Sequence, residues 1–403
     1  MSRPGLALSP ALWLLSLACA QPPAPINRVV TAPAVTDTSA PDATQLAQRT
    51  LIVDGHIDLP YRLYRGRNER GQVSEDPTTR TSKGDFDAVR AKLGGLDAPF
   101  MAVYVPAKHQ TEGGAKALAD ALIDLVEDLE ERAPDRIEVA RSTADVERIF
   151  AAGKLALPLG IENGAAIEGD LANLAHFHSR GVRYITLTHS KDNDISDSSY
   201  DDAHTHGGLS ELGERVVREM NRLGIMVDVS HISDEAFWDV MRVTDVPVIA
   251  SHSSCRHFTP GFERNMSDDM IRRLADEEGV IMINYGSTFI SAEARRWSDD
   301  FHTARDAFAE SRSLADEAPE LKQFSEDYMR DNPLPRATVE VVADHIMHVV
   351  ALVGIEHVGL GSDFDGLGDS LPEGLRDAAE LPNLVAALLR RGEPIDTAEL
   401  LAM

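Results

Sequence analysis

The chain has 403 residues, of which 43% are hydrophobic and 26% are charged. This composition excludes a disordered protein and leaves room for one large α/β domain or two ordinary ones. Acidic residues outnumber basic ones by 66 to 39, which gives a formal net charge of −27 and argues against a nucleic-acid partner. Two cysteines are too few for a disulfide framework or a cysteine-rich zinc module. Any metal must therefore be held by carboxylates and by some of the 14 histidines.

The first residues predict export. Arg3 precedes an apolar stretch, residues 6–17, that is too short to span a bilayer, and three small residues follow at 18–20. This pattern is typical of a secretory signal peptide that covers residues 1–20 and is cleaved before Gln21. We therefore expect an exported protein, periplasmic or extracellular.

A second interpretation of the same region makes Cys19 the lipidated first residue of a bacterial lipoprotein. Such a lipid is the one membrane attachment that the sequence suggests. The next segment, residues 21–46, is rich in Pro, Ala and Thr without periodicity, and it predicts a flexible linker.

From residue 50 onwards, short apolar runs alternate with helical patterns such as those at 114–132 and 209–223. Continuous apolar strands alternating with helices favour a parallel sheet that is covered on both faces. We therefore predict an α/β fold, a (β/α)8 TIM-like barrel, in a single domain over residues 47–403. The eight predicted strands are 50–53, 100–105, 156–161, 184–188, 225–229, 246–250, 280–284 and 357–361.

The structural rival is a doubly wound open sheet, which would normally carry a glycine-rich phosphate loop after its first strand. Here that place holds the sequence DGHID at 54–58. A polar segment with several aromatic residues, 291–332, predicts a helical insertion after strand seven. It is either a wall or lid of the active site or a surface excursion that packs on the barrel.

Six of the eight predicted strands are followed by an ionisable residue, and in a barrel the carboxyl ends of the strands form the face where active sites are built. Five of these residues supply three imidazoles and two carboxylates, a set that suits zinc: His56, Asp58, Glu162, His231 and His252. Five ligands exceed the needs of one catalytic zinc, whereas two metals that share a bridging carboxylate explain the surplus. Glu162 is the natural bridge because it stands on a strand between the two groups of ligands.

Seven stretches resemble the membrane (renal) dipeptidases, zinc peptidases of the metal-dependent hydrolase superfamily. They run in family order along most of the chain: VDGHIDLP at 53–60, GIENG at 160–164, LTHSKDN at 187–193, GIMVDVSH at 224–231, PVIASHSS at 247–254, RNMSDDMI at 264–271 and HVGLGSDFDG at 357–366. The resemblance implies that His56 and Asp58 bind one zinc ion, that His231 and His252 bind the other, and that Glu162 bridges both.

The resemblance also implies roles toward a dipeptide substrate. His189 would contact the scissile carbonyl oxygen, and Arg264 would pair with the C-terminal carboxylate. Asp363 would take a proton from the water between the metals and pass it to the leaving amine. Without the family motif, the favoured interpretation of Arg264 is an ordinary surface cation, and Asp363 could be a helix cap or a group that orients a metal-bound histidine.

The function expected from the sequence is therefore hydrolysis of dipeptides by a hydroxide that bridges two Zn²⁺ ions, with Mn²⁺ or Co²⁺ as other occupants. Two alternatives stay open. One is another binuclear-metal barrel amidohydrolase that acts on lactams or cyclic amides. The other is an exported metal-binding or solute-binding lipoprotein without catalysis. The expected partner is the dipeptide itself, and a homodimer is a further option.

Overall fold

The computed structural model describes residues 42–316 and 318–391. The predicted signal peptide and most of the predicted linker lie outside the described residues. The last residues assigned to the linker, from 42 onwards, are described, and they begin the first helix, Ala43–Ala47, whose Ala47 is fully buried. Among the described residues, no helix is long and apolar enough to cross a membrane.

Within the described residues, eight parallel strands close into a barrel in which each strand pairs with its neighbours in chain order. We number them β1 to β8: Ile52–Ile57, Leu96–Tyr104, Leu159–Glu162, Val182–Thr186, Met226–Asp228, Ile249–Ser253, Val280–Ile283 and Val358–Leu360. The barrel closes where Asp54 of β1 pairs with Leu360 of β8. Each strand overlaps one of the eight predicted runs, so the predicted (β/α)8 barrel is confirmed.

One predicted strand is divided. The run 156–161 contains Pro158, which has no backbone N–H to donate to a ladder. Before this proline, Leu155–Ala156 pairs with Ile137–Glu138 in a separate two-stranded sheet, and after it β3 joins the barrel. The carbonyl of Pro158 still accepts from the N–H of Met101 at 2.8 Å.

Helices surround the barrel, and their ends follow local capping signals. Ser267 is the N-cap of its helix, and its hydroxyl oxygen accepts from the N–H of Met270. The helices are Ala43–Ala47, Leu59–Arg65, Ala88–Gly94, His109–Glu112, Ala115–Arg132, Thr143–Ala151, Ala172–Ser179, Glu211–Leu223, Asp234–Val243, Asp268–Asp276, Ser287–Ile290, Ala292–Arg312, Pro319–Asp331, Val339–Val353 and Leu381–Arg390.

The predicted insertion after β7 consists of two helices, Ala292–Arg312 and Pro319–Asp331, which hold each other through aromatic contacts. Phe308 stacks on Phe324 with ring centroids 4.5 Å apart, and Trp297 donates through Nε1 to the carbonyl of Asn332 at 2.8 Å. The barrel interior and the layer under the surrounding helices form one large apolar core.

Candidate metal centre

The predicted site residues come together at the carboxyl ends of the strands. His56 and His252 stand on β1 and β6, and Glu162 is the last residue of β3. His189, His231 and Asp363 each stand three residues beyond a strand end, and Asp58 follows β1 directly. Apart from His189, whose side chain is 21% exposed, these residues are buried.

The carboxylate of Glu162 lies at the middle of the cluster. Its Oε1 is 3.1 Å from His231 Nε2, 3.3 Å from His252 Nε2 and 3.5 Å from His189 Nε2. Its Oε2 is 3.6 Å from His56 Nε2, which is itself 3.5 Å from Asp58 Oδ2. The two oxygens of one carboxylate therefore face two different groups of donors.

Tyr184 orients the ring of His56. Its hydroxyl oxygen accepts from His56 Nδ1 at 3.0 Å and donates to the carbonyl of Gly55 at 3.0 Å. His56 Nε2 then points into the cluster and has no hydrogen-bond partner among the described residues. Gly160, in the motif GIENG, leaves room for this tyrosine, because a Cβ at that position would lie 2.0 Å from the Tyr184 ring.

His252 is oriented by a second set of hydrogen bonds. The hydroxyl of Ser251 accepts from His252 Nδ1 at 2.7 Å and donates to Asp228 Oδ2 at 2.7 Å. Asp228 Oδ1 accepts from the backbone N–H groups of Ser230 and Ser251. Such a chain from carboxylate to histidine fixes the tautomer that leaves Nε2 free to bind a metal.

His231, unlike His56 and His252, is not oriented by a hydrogen bond at Nδ1 from the described residues. Its backbone adopts a positive φ of 71°, and its Nδ1 is buried without a hydrogen-bond partner among the described residues. Its Nε2 lies 2.7 Å from His252 Nε2 and 3.1 Å from a guanidinium nitrogen of Arg264.

Asp363 lies beside the first group of donors. It offers a ligand atom within 4.8 Å of those of His56 and Asp58, and its Oδ2 accepts from Asn284 Nδ2 at 2.8 Å. Burial and the neighbouring Asp58 carboxylate raise the pKa of Asp363 well above its ordinary value. This side chain is therefore suited to hold and release a proton inside the cluster.

The electrostatics of the imidazoles differ across the cluster. Burial, followed by the positive charge of Arg264, lowers the pKa of His231 well below its ordinary value, and burial dominates the same shift of His252. Burial also favours neutral His56, but Tyr184, Glu162 and Asp58 outweigh it and raise the pKa of His56 well above its ordinary value. The surroundings of His56 thus favour positive charge.

These donors fit divalent cations. Two ligands of a tetrahedral zinc ion with bonds of about 2.1 Å lie about 3.4 Å apart. The separations of 3.5 and 3.6 Å around His56 Nε2, and of 3.1 and 3.3 Å around Glu162 Oε1, are close to that value. The 2.7 Å between the Nε2 atoms of His231 and His252 would have to widen. His189 is nearly as close to Glu162 as these two histidines, so distance alone also admits it as a ligand.

Arg264 is part of the cluster and not an ordinary surface cation, since it is 3% exposed. Its guanidinium donates to Ser253 Oγ at 2.7 Å and to the carbonyl of His252 at 2.8 Å. Its Nε–H is buried and has no partner within the described part of the chain. The guanidinium lies under the ring of Phe289, 5.6 Å from its centroid.

A cavity of about 670 Å³ opens onto the metal centre and is lined by Asp58, Glu162, His189, His231 and Asp363. Further lining comes from residues that the sequence analysis missed: Tyr61, Arg65, Tyr104, Tyr200 and Phe289. Tyr104 ends β2 as Glu162 ends β3, but the second predicted strand runs on to residue 105, and so Tyr104 was not recognised as a strand-end residue. Of the described part of the insertion, no residue from 292 to 331 lines this cavity, which favours the surface excursion over the lid.

Comparison with known proteins agrees with this geometry. A family model described as membrane dipeptidase (peptidase family M19) matches residues 41–401. Dipeptidase tcpJ of Claviceps purpurea is 36% identical over 353 residues, which cover 86% of this chain and 73% of the relative.

Two solved structures share the fold. A metallopeptidase from Rhodobacter sphaeroides, bound to a phosphinate mimic of the dipeptide L-Ala-D-Ala, is 27% identical with a TM-score of 0.69, and the match covers 88% of this chain and 96% of that one. The probable dipeptidase PvdM from Pseudomonas aeruginosa is 25% identical with a TM-score of 0.76, over 89% of this chain and 94% of that one. The chain belongs to the membrane dipeptidase family, peptidase family M19, and is a metallo-dipeptidase.

Proposed function

We propose that this metallo-dipeptidase hydrolyses dipeptides with a free C-terminal carboxylate at a centre of two zinc ions. One ion would be held by His56 and Asp58, the other by His231 and His252, and both by Glu162. The observation that supports this most directly is the position of Glu162, whose two oxygens face two separate groups of donors. Family membership favours this function over a lactam hydrolase and over a binding protein without catalysis.

Two bound zinc ions would polarise the peptide carbonyl and lower the pKa of a water molecule held between them. Asp363, which offers a ligand atom within 4.8 Å of those of His56 and Asp58, would accept the proton of the water on a carboxylate oxygen. Its other role would be to deliver this proton to the leaving amine. Asn284, which donates to Asp363 Oδ2, would hold the carboxylate in a single orientation.

His189 and Arg264 would bind the substrate. His189 lines the cavity and is partly exposed, so its imidazole could donate to the carbonyl oxygen as negative charge develops there. Arg264 would pair through its unpartnered Nε–H with the C-terminal carboxylate after a shift of Phe289, which lies over the guanidinium. The cavity volume of about 670 Å³ suits a small ligand rather than a long peptide.

The test is metal content measured together with hydrolysis of a dipeptide panel, with and without a chelator. L-Ala-D-Ala belongs in the panel because a relative was crystallised with a mimic of it. Glu162→Gln is expected to lose metal and turnover together, whereas Asp363→Asn is expected to keep the metal and lose turnover. A Glu162→Gln variant that retained two zinc ions and full activity would show that the assigned bridge is wrong.

We also propose that the protein is exported, on the basis of the apolar stretch and small residues before Gln21. Mass spectrometry of the mature N-terminus tests this proposal. A chain that begins at Gln21 supports a cleaved signal peptide, and a lipid on Cys19 supports the lipoprotein. An intact Met1 on the mature protein contradicts both.

A further inference from the structure

A second group of metal-ligating residues lies on the outside of the barrel, apart from the candidate metal centre. It consists of His257, Asp268 and His348, each of which offers a ligand atom within 4.8 Å of the other two. His348 Nε2 is 2.9 Å from Asp268 Oδ1. The rings of His257 and His348 are stacked, with centroids 4.4 Å apart and planes inclined by 23°.

Backbone hydrogen bonds hold two of these residues together although they are eleven positions apart. A parallel bridge pairs Cys255 with Met266. The N–H of Arg256 donates to the carbonyl of Met266 at 2.8 Å, and the N–H of Met266 donates to the carbonyl of Ser254 at 2.9 Å. This places His257, just after the bridge, beside Asp268 at the start of its helix.

The third residue, His348, comes from the helix Val339–Val353, which is attached to the same segment. One turn earlier on this helix, His345 Nδ1 accepts from the N–H of Cys255 at 3.1 Å. Phe258 packs on both helix histidines, with centroids 4.3 Å from His345 and 5.5 Å from His348. The three segments that carry these residues are therefore held together by contacts that do not depend on any ion.

We propose that His257, Asp268 and His348 form a peripheral site for a borderline divalent cation of the zinc type. Two imidazoles and one carboxylate suit Zn²⁺, whereas Mg²⁺ and Ca²⁺ prefer sets made of oxygen. His257 is exposed, and the side chains of Asp268 and His348 are 34% and 18% exposed, so an ion can enter and complete its coordination with water. This cluster is separate from the residues assigned to catalysis, and its occupancy does not depend on the proposed function.

The cation would join three segments: the short turn Arg256–Phe258, the start of helix Asp268–Asp276, and helix Val339–Val353. The connection between the first two segments carries Arg264. Zinc at the peripheral site would therefore stabilise the part of the chain that positions the proposed carboxylate-binding arginine.

The experiment is calorimetric titration of Zn²⁺ into the metal-loaded enzyme after loosely bound metal has been dialysed away. We expect the wild type to take up one further equivalent, and His257→Ala and His348→Gln to take up none. His257→Ala leaves the ion pair of His348 with Asp268 in place, so it separates loss of a ligand from loss of that pair. The matched control is His178→Gln, a histidine on helix Ala172–Ser179, which is expected to behave as the wild type.

A second readout is the thermal midpoint. Added Zn²⁺ should raise it in the wild type and in His178→Gln but not in the two cluster variants. Dipeptide hydrolysis at a fixed metal load should be equal in all four proteins, which would confirm that the catalytic centre is intact. Equal zinc uptake by all four proteins, no further uptake by the wild type, or equal uptake of Mg²⁺ would overturn the proposal.

Discussion

Removing the hydroxyl group of Tyr184 tests whether this group orients His56 for metal binding. We expect Tyr184→Phe to weaken metal binding and to leave the fold intact, because the ring stays in place and a single oxygen is lost. In the structure this oxygen makes two buried hydrogen bonds, one from His56 Nδ1 and one to the carbonyl of Gly55, both at 3.0 Å. Without it, the imidazole of His56 can rotate and can adopt the wrong tautomer.

The size of the effect follows from these two bonds. Each buried hydrogen bond contributes about 1 kcal/mol net, so the substitution removes about 2 kcal/mol from the ordered site. At about 1.4 kcal/mol for each tenfold change, this corresponds to a loss of about 30-fold in metal affinity. Groups that orient a metal-binding histidine typically contribute about 10-fold to 100-fold, which brackets the same value.

Metal affinity is measured by competition with a chromogenic chelator, and turnover is measured at saturating metal. The matched control is Tyr285→Phe, because the hydroxyl of Tyr285 is equally buried but has no hydrogen-bond partner among the described residues. The control should bind metal as the wild type does. Equal affinities of the wild type and Tyr184→Phe would refute the reasoning, and so would an equal loss in both variants.

Three further predictions follow. Gly160→Ala should lower both the free energy of unfolding and the metal affinity, because the new Cβ would lie 2.0 Å from the Tyr184 ring. Urea unfolding and metal titration check this, and unchanged values of both would contradict it. Asn284→Ala should reduce kcat by about tenfold at unchanged metal content, because the Asp363 carboxylate loses the hydrogen bond that Asn284 donates. An Asn284→Ala variant with full turnover would contradict this. Burial lowers the pKa of His345 to about 4, below the 6.5 of an exposed histidine. The stability that this group confers is therefore complete above pH 6.5 and is lost as the pH falls toward 4, by about 3 kcal/mol in all. Unfolding by denaturant at pH 7 and pH 4.5 should show this loss in the wild type and not in His345→Asn, and equal losses contradict it.

The barrel could be predicted because strands that are buried on both faces appear in the sequence as continuous apolar runs, and eight such runs alternate with helical patterns. Strand ends could not be predicted, since they depend on hydrogen bonds to neighbouring strands. Pro158 is the clearest case: the apolar run continues through it, but the ladder does not. The helix Ala43–Ala47 was missed because its sequence is as polar and as rich in Ala and Thr as the preceding segment, and its burial depends on contacts with distant residues.

The members of the candidate metal centre could be predicted because each follows the end of a predicted strand. In a parallel barrel, the carboxyl ends of all strands lie on one face. Their supporting residues carry no such signal. Tyr184 lies 128 positions from the histidine that it orients, and it reads in the sequence as one more apolar residue of a strand. Ser251 and Asn284 likewise look like ordinary polar residues until the fold shows what they contact. The distances between site residues also depend on side-chain rotamers, so the 3.5 Å between His189 Nε2 and Glu162 Oε1 could not be predicted from the sequence.

Several residues at the candidate metal centre have a strained backbone, which lowers the stability of the fold. Asn163, His231, Asp363 and Asp365 all have positive φ values, of 87°, 71°, 59° and 70°. This backbone costs a general L-residue about 1–2 kcal/mol, asparagine and aspartate adopt it more readily than histidine does, and glycine adopts it with the least strain. Glycine would, however, remove the side chains that place His231 Nε2 3.1 Å from Glu162 and Asp363 Oδ2 2.8 Å from Asn284. Non-glycine residues persist there because the chain must leave its strand abruptly while the side chain still faces the cluster. Four of the eight non-glycine residues with positive φ in the described part of the chain thus lie beside the candidate metal centre, a concentration that is typical of a functional site.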